Sequence, residues 1–294
     1  MKNIINYYYN IFIDEFKKVG NRFKFEIDNI RYEFIPFCGN INEFCRVYTI
    51  LKNNKLYCHE AILNKDNSFF TFYENIPYLL VRSDVFIDKY VDIYEIFSYD
   101  ISVRTDNSFN WKKLWQEKID YYEYQMSQMS SKYPMLKKSF NYYVGLTETA
   151  INLLNYINDK NIGYNICHRR ILYKEKLYNF FNPVEILIDN RTRDIGEYIK
   201  INYINNNIKM EDVFSIIEYA NFTNTEGILL LSRLLYPSYY FDLYDKIIQE
   251  KINEEKINKV IDNNIEYETF IREVYSYLRK NHPIPEIEWL MNKF

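Results

Sequence analysis

A change of hydropathy period near Arg82 constrains this 294-residue chain more than any single motif. Before it, apolar and polar residues alternate in short runs, as in half-buried strands. After it, apolar residues recur every three or four positions, as on amphipathic helices. RFKFEID and IRYEFIPF flank Asp28-Asn29, a hairpin signal, because Asp and Asn tolerate the left-handed backbone of a tight turn. LYCHEAIL, SFFTFY and PYLLVRS read as three further short strands. In this first part, helices are predicted over 3–19, closed by Gly20, and over 41–52, with Phe44, Val47, Tyr48 and Leu51 on one face. Past the switch, helices are predicted over 85–97, 111–129, 140–158, 210–219, 225–236, 240–250 and 265–280. Strands first and helices after argue for an α+β protein with segregated parts. A small N-terminal sheet-plus-helix lobe, 1–83, precedes a larger, mainly helical C-terminal lobe, 84–294, with a strand-like hinge near 80–84.

Composition narrows the function classes. A net charge of −3 gives no footing for nucleic acid or an acidic membrane surface. The four cysteines have no CxxC spacing, so neither a zinc site nor a disulfide framework is signalled. Asp14 and Glu15 break the apolar run at the N-terminus, which does not read as a signal peptide, and no uncharged apolar window is long enough to span a bilayer. Synthesis in the cytoplasm and residence inside a cell are expected. The 31 tyrosines and 21 phenylalanines fall in stripes at helical spacing, which fits core packing better than a stacking platform. There is no H-E-x-x-H and no G-x-S-x-G, so metallohydrolase and serine-esterase chemistry is unsupported.

Residues 164–200, YNICHRRILYKEKLYNFFNPVEILIDNRTRDIGEYIK, bring a His-led loop, an apolar strand and a helix start close together. With NYYVGLTETAINLL before and LLLSRLLYPSYYFDLYDKI and IEWL after, this run resembles the bacterial spore-coat kinase-like proteins of the CotS/YutH type. These lie in the aminoglycoside/choline phosphotransferase branch of the protein-kinase-like superfold. RDIGEYIK and RLLYPSYYFD carry most of the resemblance, which spans essentially the whole chain and is densest over 140–243. It implies a bilobal kinase-like fold and an association with sporulation. By the same resemblance, the partners are other coat or sporulation proteins and the destination is the spore coat.

The residues themselves depart from phosphotransfer chemistry. That reaction needs a glycine-lined phosphate cradle, a nucleotide lysine, a proton-accepting aspartate and metal ligands. No two glycines lie near enough to form a cradle, and the strand 31–37 that should carry the lysine has none. Matching His168-Arg169-Arg170 to the family's His-Gly-Asp puts Arg170 at the aspartate, and a guanidinium accepts no proton. His168 reads as a buried loop histidine. Five positions on, Glu175 replaces the amide ligand, and Asp189, after the strand 184–188, matches the metal-binding aspartate. A second register puts that position near Asn182. Asp194 reads as a helix N-terminal carboxylate, and Arg193 as the i,i+4 partner of Glu197. The expectation is a degenerate, non-catalytic pseudokinase serving as an assembly or scaffold component and needing no cofactor. The alternatives are a divergent small-molecule phosphotransferase using ATP and Mg²⁺ held by Asp189 and Glu175, or a nucleotide-binding pseudoenzyme.

Overall fold

Alternation in the first part of the chain builds an antiparallel sheet. A computed structural model describes residues 1–83, 88–105, 110–157 and 162–291. Strands β1 (Lys17–Val19), β2 (Arg22–Ile27), β3 (Ile30–Pro36), β4 (Glu60–Ile62), β5 (Phe70–Tyr73) and β6 (Ile76–Ser83) take the order β1-β2-β3-β6-β4, with β5 also on β6. Asp28 (φ 52°) and Asn29 (φ 63°) both adopt the left-handed backbone that a two-residue hairpin demands. The turn fixes the register, setting Phe23 opposite Phe34 and Lys24 opposite Glu33. Phe23, Phe25, Phe34, Tyr78 and Leu80 form an apolar cluster with Ile5 of helix α1 (Lys2–Tyr9) and with Ile13.

The first predicted helix is therefore too long. It stops at Tyr9, where left-handed Asn10 (φ 53°) returns its N–H to the Asn6 carbonyl, and Lys17–Val19 pairs as a strand with β2. Helix α2 (Ile41–Asn53) buries the four residues expected of it, and its Asn40 cap accepts from the Glu43 N–H. The helix predicted over 85–97 is also shorter. Asp92 and Glu95 form a reciprocal capping box that starts α3 at Ile93 and carries it to Ser98, while 85–87 lie outside the described residues.

The chain folds as two compact units: 1–101, 166–170 and 174–188 form the first, and 102–165, 171–173 and 189–294 the second. Besides the sheet, the first holds most of a two-stranded ladder, β7 (Asn165–His168) with β8 (Ile186–Asp189). A short helix between these strands spans Leu177–Phe180.

The second unit is helical: α4 (Trp111–Met129), α5 (Pro134–Leu153) and, counting the short helix just described as α6, α7 (Thr192–Ile204), α8 (Met210–Ala220), α9 (Asn224–Leu235), α10 (Ser238–Ile248), α11 (Asn258–Asp262), α12 (Asn264–Asn281) and α13 (Glu288–Met291). α5 starts earlier than the apolar spacing predicts because Pro134 occupies its first turn, where a missing N–H costs nothing. α9 packs against α5, α7 and α12 and is buried from Glu226 to Leu235. Among the described residues no helix is long and apolar enough to cross a membrane.

Candidate functional site

β8 ends in Asp189, and α7 begins only three residues later. That short connection brings the Arg193 Nη1 to 2.8 Å from Asp189 Oδ2. From α9, Arg233 Nη2 comes to 2.9 Å from Oδ1. The Trp111 indole N–H donates to Oδ2 at 3.3 Å, and the Asn190 backbone N–H to Oδ1 at 2.6 Å. The carboxylate is 0% exposed. Burial alone would raise its pKa, but Arg233 and Arg193 outweigh that and hold it below the usual carboxylate value. The result is a buried anion neutralised by two guanidiniums.

The same helices are bolted together further along. Lys200 of α7, 1% exposed, donates from Nζ to Glu197 Oε1 (3.0 Å), the Tyr236 carbonyl (2.8 Å) and Ser238 Oγ (3.0 Å). Ser238 Oγ in turn donates to Glu197. Arg191 grips Glu226 with Nε and Nη2, at 2.8 and 3.0 Å. Spacing pointed to Glu197 as the partner of Arg193. The observed ion pair is with Asp189, because the β8–α7 connection is so short, while Glu197 holds Lys200 and Ser238.

In the first unit, a cavity of about 680 Å³ is lined by Lys24, Arg31, Glu33, Asp88, Lys176 and Tyr178, among others. Glu33 stands in the middle of β3 and is 1% exposed. Lys24 Nζ approaches its Oε1 at 2.5 Å and Arg22 Nη1 its Oε2 at 3.7 Å. Arg22 also reaches Glu185 at 2.5 Å, and Lys176 pairs with Asp88. The Tyr178 ring lies 5.6 Å from Lys24 Nζ and 5.8 Å from the Arg31 guanidinium carbon. Burial, and then the Glu33 carboxylate, push its hydroxyl pKa up. His59 holds the short α6 helix in place. Its Nε2 donates to the Tyr178 carbonyl at 2.7 Å and its backbone N–H to that of Phe181 at 2.9 Å.

The remaining sequence candidates make contacts of their own within the fold. His168 ends β7 at 1% exposure, stacked on Phe180 with ring centroids 3.8 Å apart. Arg169 donates to the Glu185 and Val184 carbonyls. A Cβ at Gly39 would stand 2.9 Å from the Arg169 Nη2 and 2.7 Å from the Phe37 ring, so a side chain there would make both groups shift. Arg170 is half-buried, and Glu175 accepts from the Asn179 amide at 2.8 Å. Asn182, the alternative register position, caps the 3-10 turn Pro183–Glu185 by accepting from the Val184 N–H. Asp194 is buried in the first turn of α7. Among the described residues no group of three or more His, Cys, Asp or Glu is placed to hold a metal ion.

Two residues central to these clusters escaped the sequence reading. Glu33 had a usable signal, since a two-residue turn at 28–29 sets 27 against 30 and hence Lys24 against Glu33. Arg233 had none, because its place beside Asp189 depends on how α9 packs against α7.

The family described as "Spore coat putative kinase YutH" matches residues 2–274. The endospore coat-associated protein YutH of Bacillus subtilis (strain 168) is 27% identical over 208 residues, covering 61% of this chain and 61% of that protein. The match thus spans less than two thirds of that relative's length. An aminoglycoside phosphotransferase from Alicyclobacillus acidocaldarius is similar in structure, with a TM-score of 0.66 at 10% identity over 95% of this chain and 96% of that one. Spectinomycin phosphotransferase, solved with ADP and spectinomycin, gives 0.57 at 13% identity, covering 95% and 96%. A choline kinase from Streptococcus pneumoniae gives 0.54 at 10%, covering 94% and 98%. At these identities the likeness is one of fold, and the fold is the α+β kinase-like one. With a family match running over nearly all of its length, this chain belongs to the spore-coat YutH family.

Proposed function

We propose that this chain is a non-catalytic, kinase-fold component of the spore coat that contributes to assembly, with other coat or sporulation proteins as its partners. The observation that carries this reading is the state of Asp189. A divalent cation there would have to displace two guanidiniums from a carboxylate with 0% exposure, and those arginines would then face the cation at close range. The donor set does not fit Mg²⁺. Arg170 at the position of the proton acceptor, and Glu33 within the strand expected to carry the nucleotide lysine, support the same reading. The coat association rests on the family and on the relative's name.

A fluorescent fusion expressed from the native promoter in a sporulating host tests the assignment. The signal should gather at the forespore and persist on the mature coat. A diffuse vegetative signal with none at the forespore would refute it. The second reading, a nucleotide-binding pseudoenzyme, has the first-unit cavity in its favour. A ligand at 100 times its Kd stabilises a protein by about 2.7 kcal/mol. The melting curve is therefore expected to stay flat on titration with ATP and MgCl₂, and a saturable rise would favour the second reading.

A further inference from the structure

We infer that Glu33 is a built-in occupant of an anion-binding site, and that without its carboxylate the first-unit cavity takes a phosphate-class anion. The inference rests on the reading that this cavity is not a working nucleotide site.

Three groups converge on the Glu33 carboxylate from outside its own strand. Lys24 stands directly opposite across the β2–β3 ladder, which puts both side chains on one face of the sheet. Its ammonium lies 2.5 Å from Oε1. Arg22, further along β2, approaches Oε2 at 3.7 Å, and the Tyr178 phenol lies close enough to feel the negative charge. A carboxylate this deeply buried is costly to keep without partners, and Lys24 and Arg22 supply them. The surrounding cations are less buried, with side-chain exposures of 37% for Lys24 and 29% for Arg22 against 2% for Glu33. Glu33 is thus the innermost member, and of its partners Lys24 and Tyr178 line the cavity. Cations gathered around one enclosed oxygen pair form the arrangement that receives a ligand carboxylate or phosphate. Here a protein side chain fills it.

The remaining lining charges are already paired, Arg31 with Glu26 at 3.8 Å and Lys176 with Asp88. An external phosphate meeting the native cavity faces Glu33 and, among the described lining residues, cations that each already have a carboxylate partner. Truncating Glu33 reverses that balance, leaving Lys24 without its cross-strand anion in a cavity whose volume falls within the ~300–1,000 Å³ typical of small-molecule sites.

The experiment is calorimetric titration of inorganic phosphate into the wild-type chain and into Glu33→Ala, at constant ionic strength set with chloride. Glu33→Ala should bind phosphate at least tenfold more tightly than wild type, and Lys24→Met/Glu33→Ala should lose that gain. Glu33→Gln, which keeps the side-chain volume, stands in if the alanine variant does not fold, and it should also gain affinity. A folded Glu33→Ala or Glu33→Gln that binds phosphate no better than wild type overturns the inference. So does a gain that persists in the double variant, since Lys24 would then not be the receiving cation. ATP turnover by the wild-type chain would refute the non-catalytic reading by a separate measurement, leaving the phosphate comparison to decide the role of Glu33.

Discussion

Asp189 is charged where burial disfavours charge, and the arginines that make this tolerable become liabilities without it. Asp189→Asn keeps the shape and removes the anion, leaving Arg193 and Arg233 facing each other with side-chain exposures of only 24% and 8%. Breaking a buried pair from one side costs about 3–5 kcal/mol. A loss of that size in urea unfolding is expected, and a change below about 1 kcal/mol would contradict the ion-pair account. The same residue governs acid stability. Its folded pKa lies below its unfolded value, as does that of Glu226, where burial is outweighed by Arg191 and Thr223. A carboxylate with a lowered folded pKa contributes stability above its unfolded value, roughly 4, and loses it as pH falls through the folded one. Urea midpoints measured from pH 7 down to pH 3 should therefore fall more steeply at the acid end for wild type than for Asp189→Asn. Parallel profiles would show that Asp189 titrates alike in both states.

Helices α7 and α9 each carry an interior glycine, and the two answer differently to a methyl group. A Cβ at Gly196 would meet Arg233 Cβ at 3.4 Å and Leu230 Cδ1 at 3.5 Å, which are ordinary contacts. Helix propensity then favours alanine by up to about 1 kcal/mol, so Gly196→Ala should melt at or above the wild-type temperature. At Gly227 the added carbon would lie 2.8 Å from two atoms of the His282 ring, whose Nδ1 is within hydrogen-bonding distance (3.2 Å) of Asn224 Oδ1. Gly227→Ala should lower the melting temperature and free the chain after α12, seen as faster amide exchange near His282. Equal melting of the two variants would mean that His282 moves aside at no cost. Such details are invisible in a sequence, where both glycines read as generic helix weakeners. Other elements were legible: α4 runs from Trp111 to Met129 as its apolar spacing predicts, and the Asp28-Asn29 hairpin forms where the turn chemistry put it. The first helix was overextended for a physical reason. Phe12 and Phe16 continue a helical period past Tyr9, but a left-handed asparagine and the pairing of β1 with β2 override it.

Across the whole molecule, the strings that made the family visible turn out to be joints of the helical unit. RDIGEYIK and RLLYPSYYFD meet through Lys200 at the Tyr236 carbonyl and Ser238, through Glu197 at Ser238, and through Arg193 and Arg233 on Asp189. The frame of a kinase-like fold was readable from such strings, whereas the condition of its chemistry depended on partners set by packing, Arg233 above all. Phosphoryl transfer makes a joint demand. Its groups act as a unit, and losing one charge-stabilising donor typically costs ~10²-fold or more. On the proposed non-catalytic reading, restoring a single group to this chain should accordingly restore nothing. Arg170→Asp supplies a proton acceptor but leaves Asp189 gripped by two guanidiniums, Glu33 in the middle of β3 and no glycine cradle. Phosphate release from ATP by a folded Arg170→Asp variant, with Mg²⁺ present, is expected to match that of wild type and of buffer. A tenfold or greater rise would mean that the rest of the centre still works, and would return this chain to the phosphotransferases.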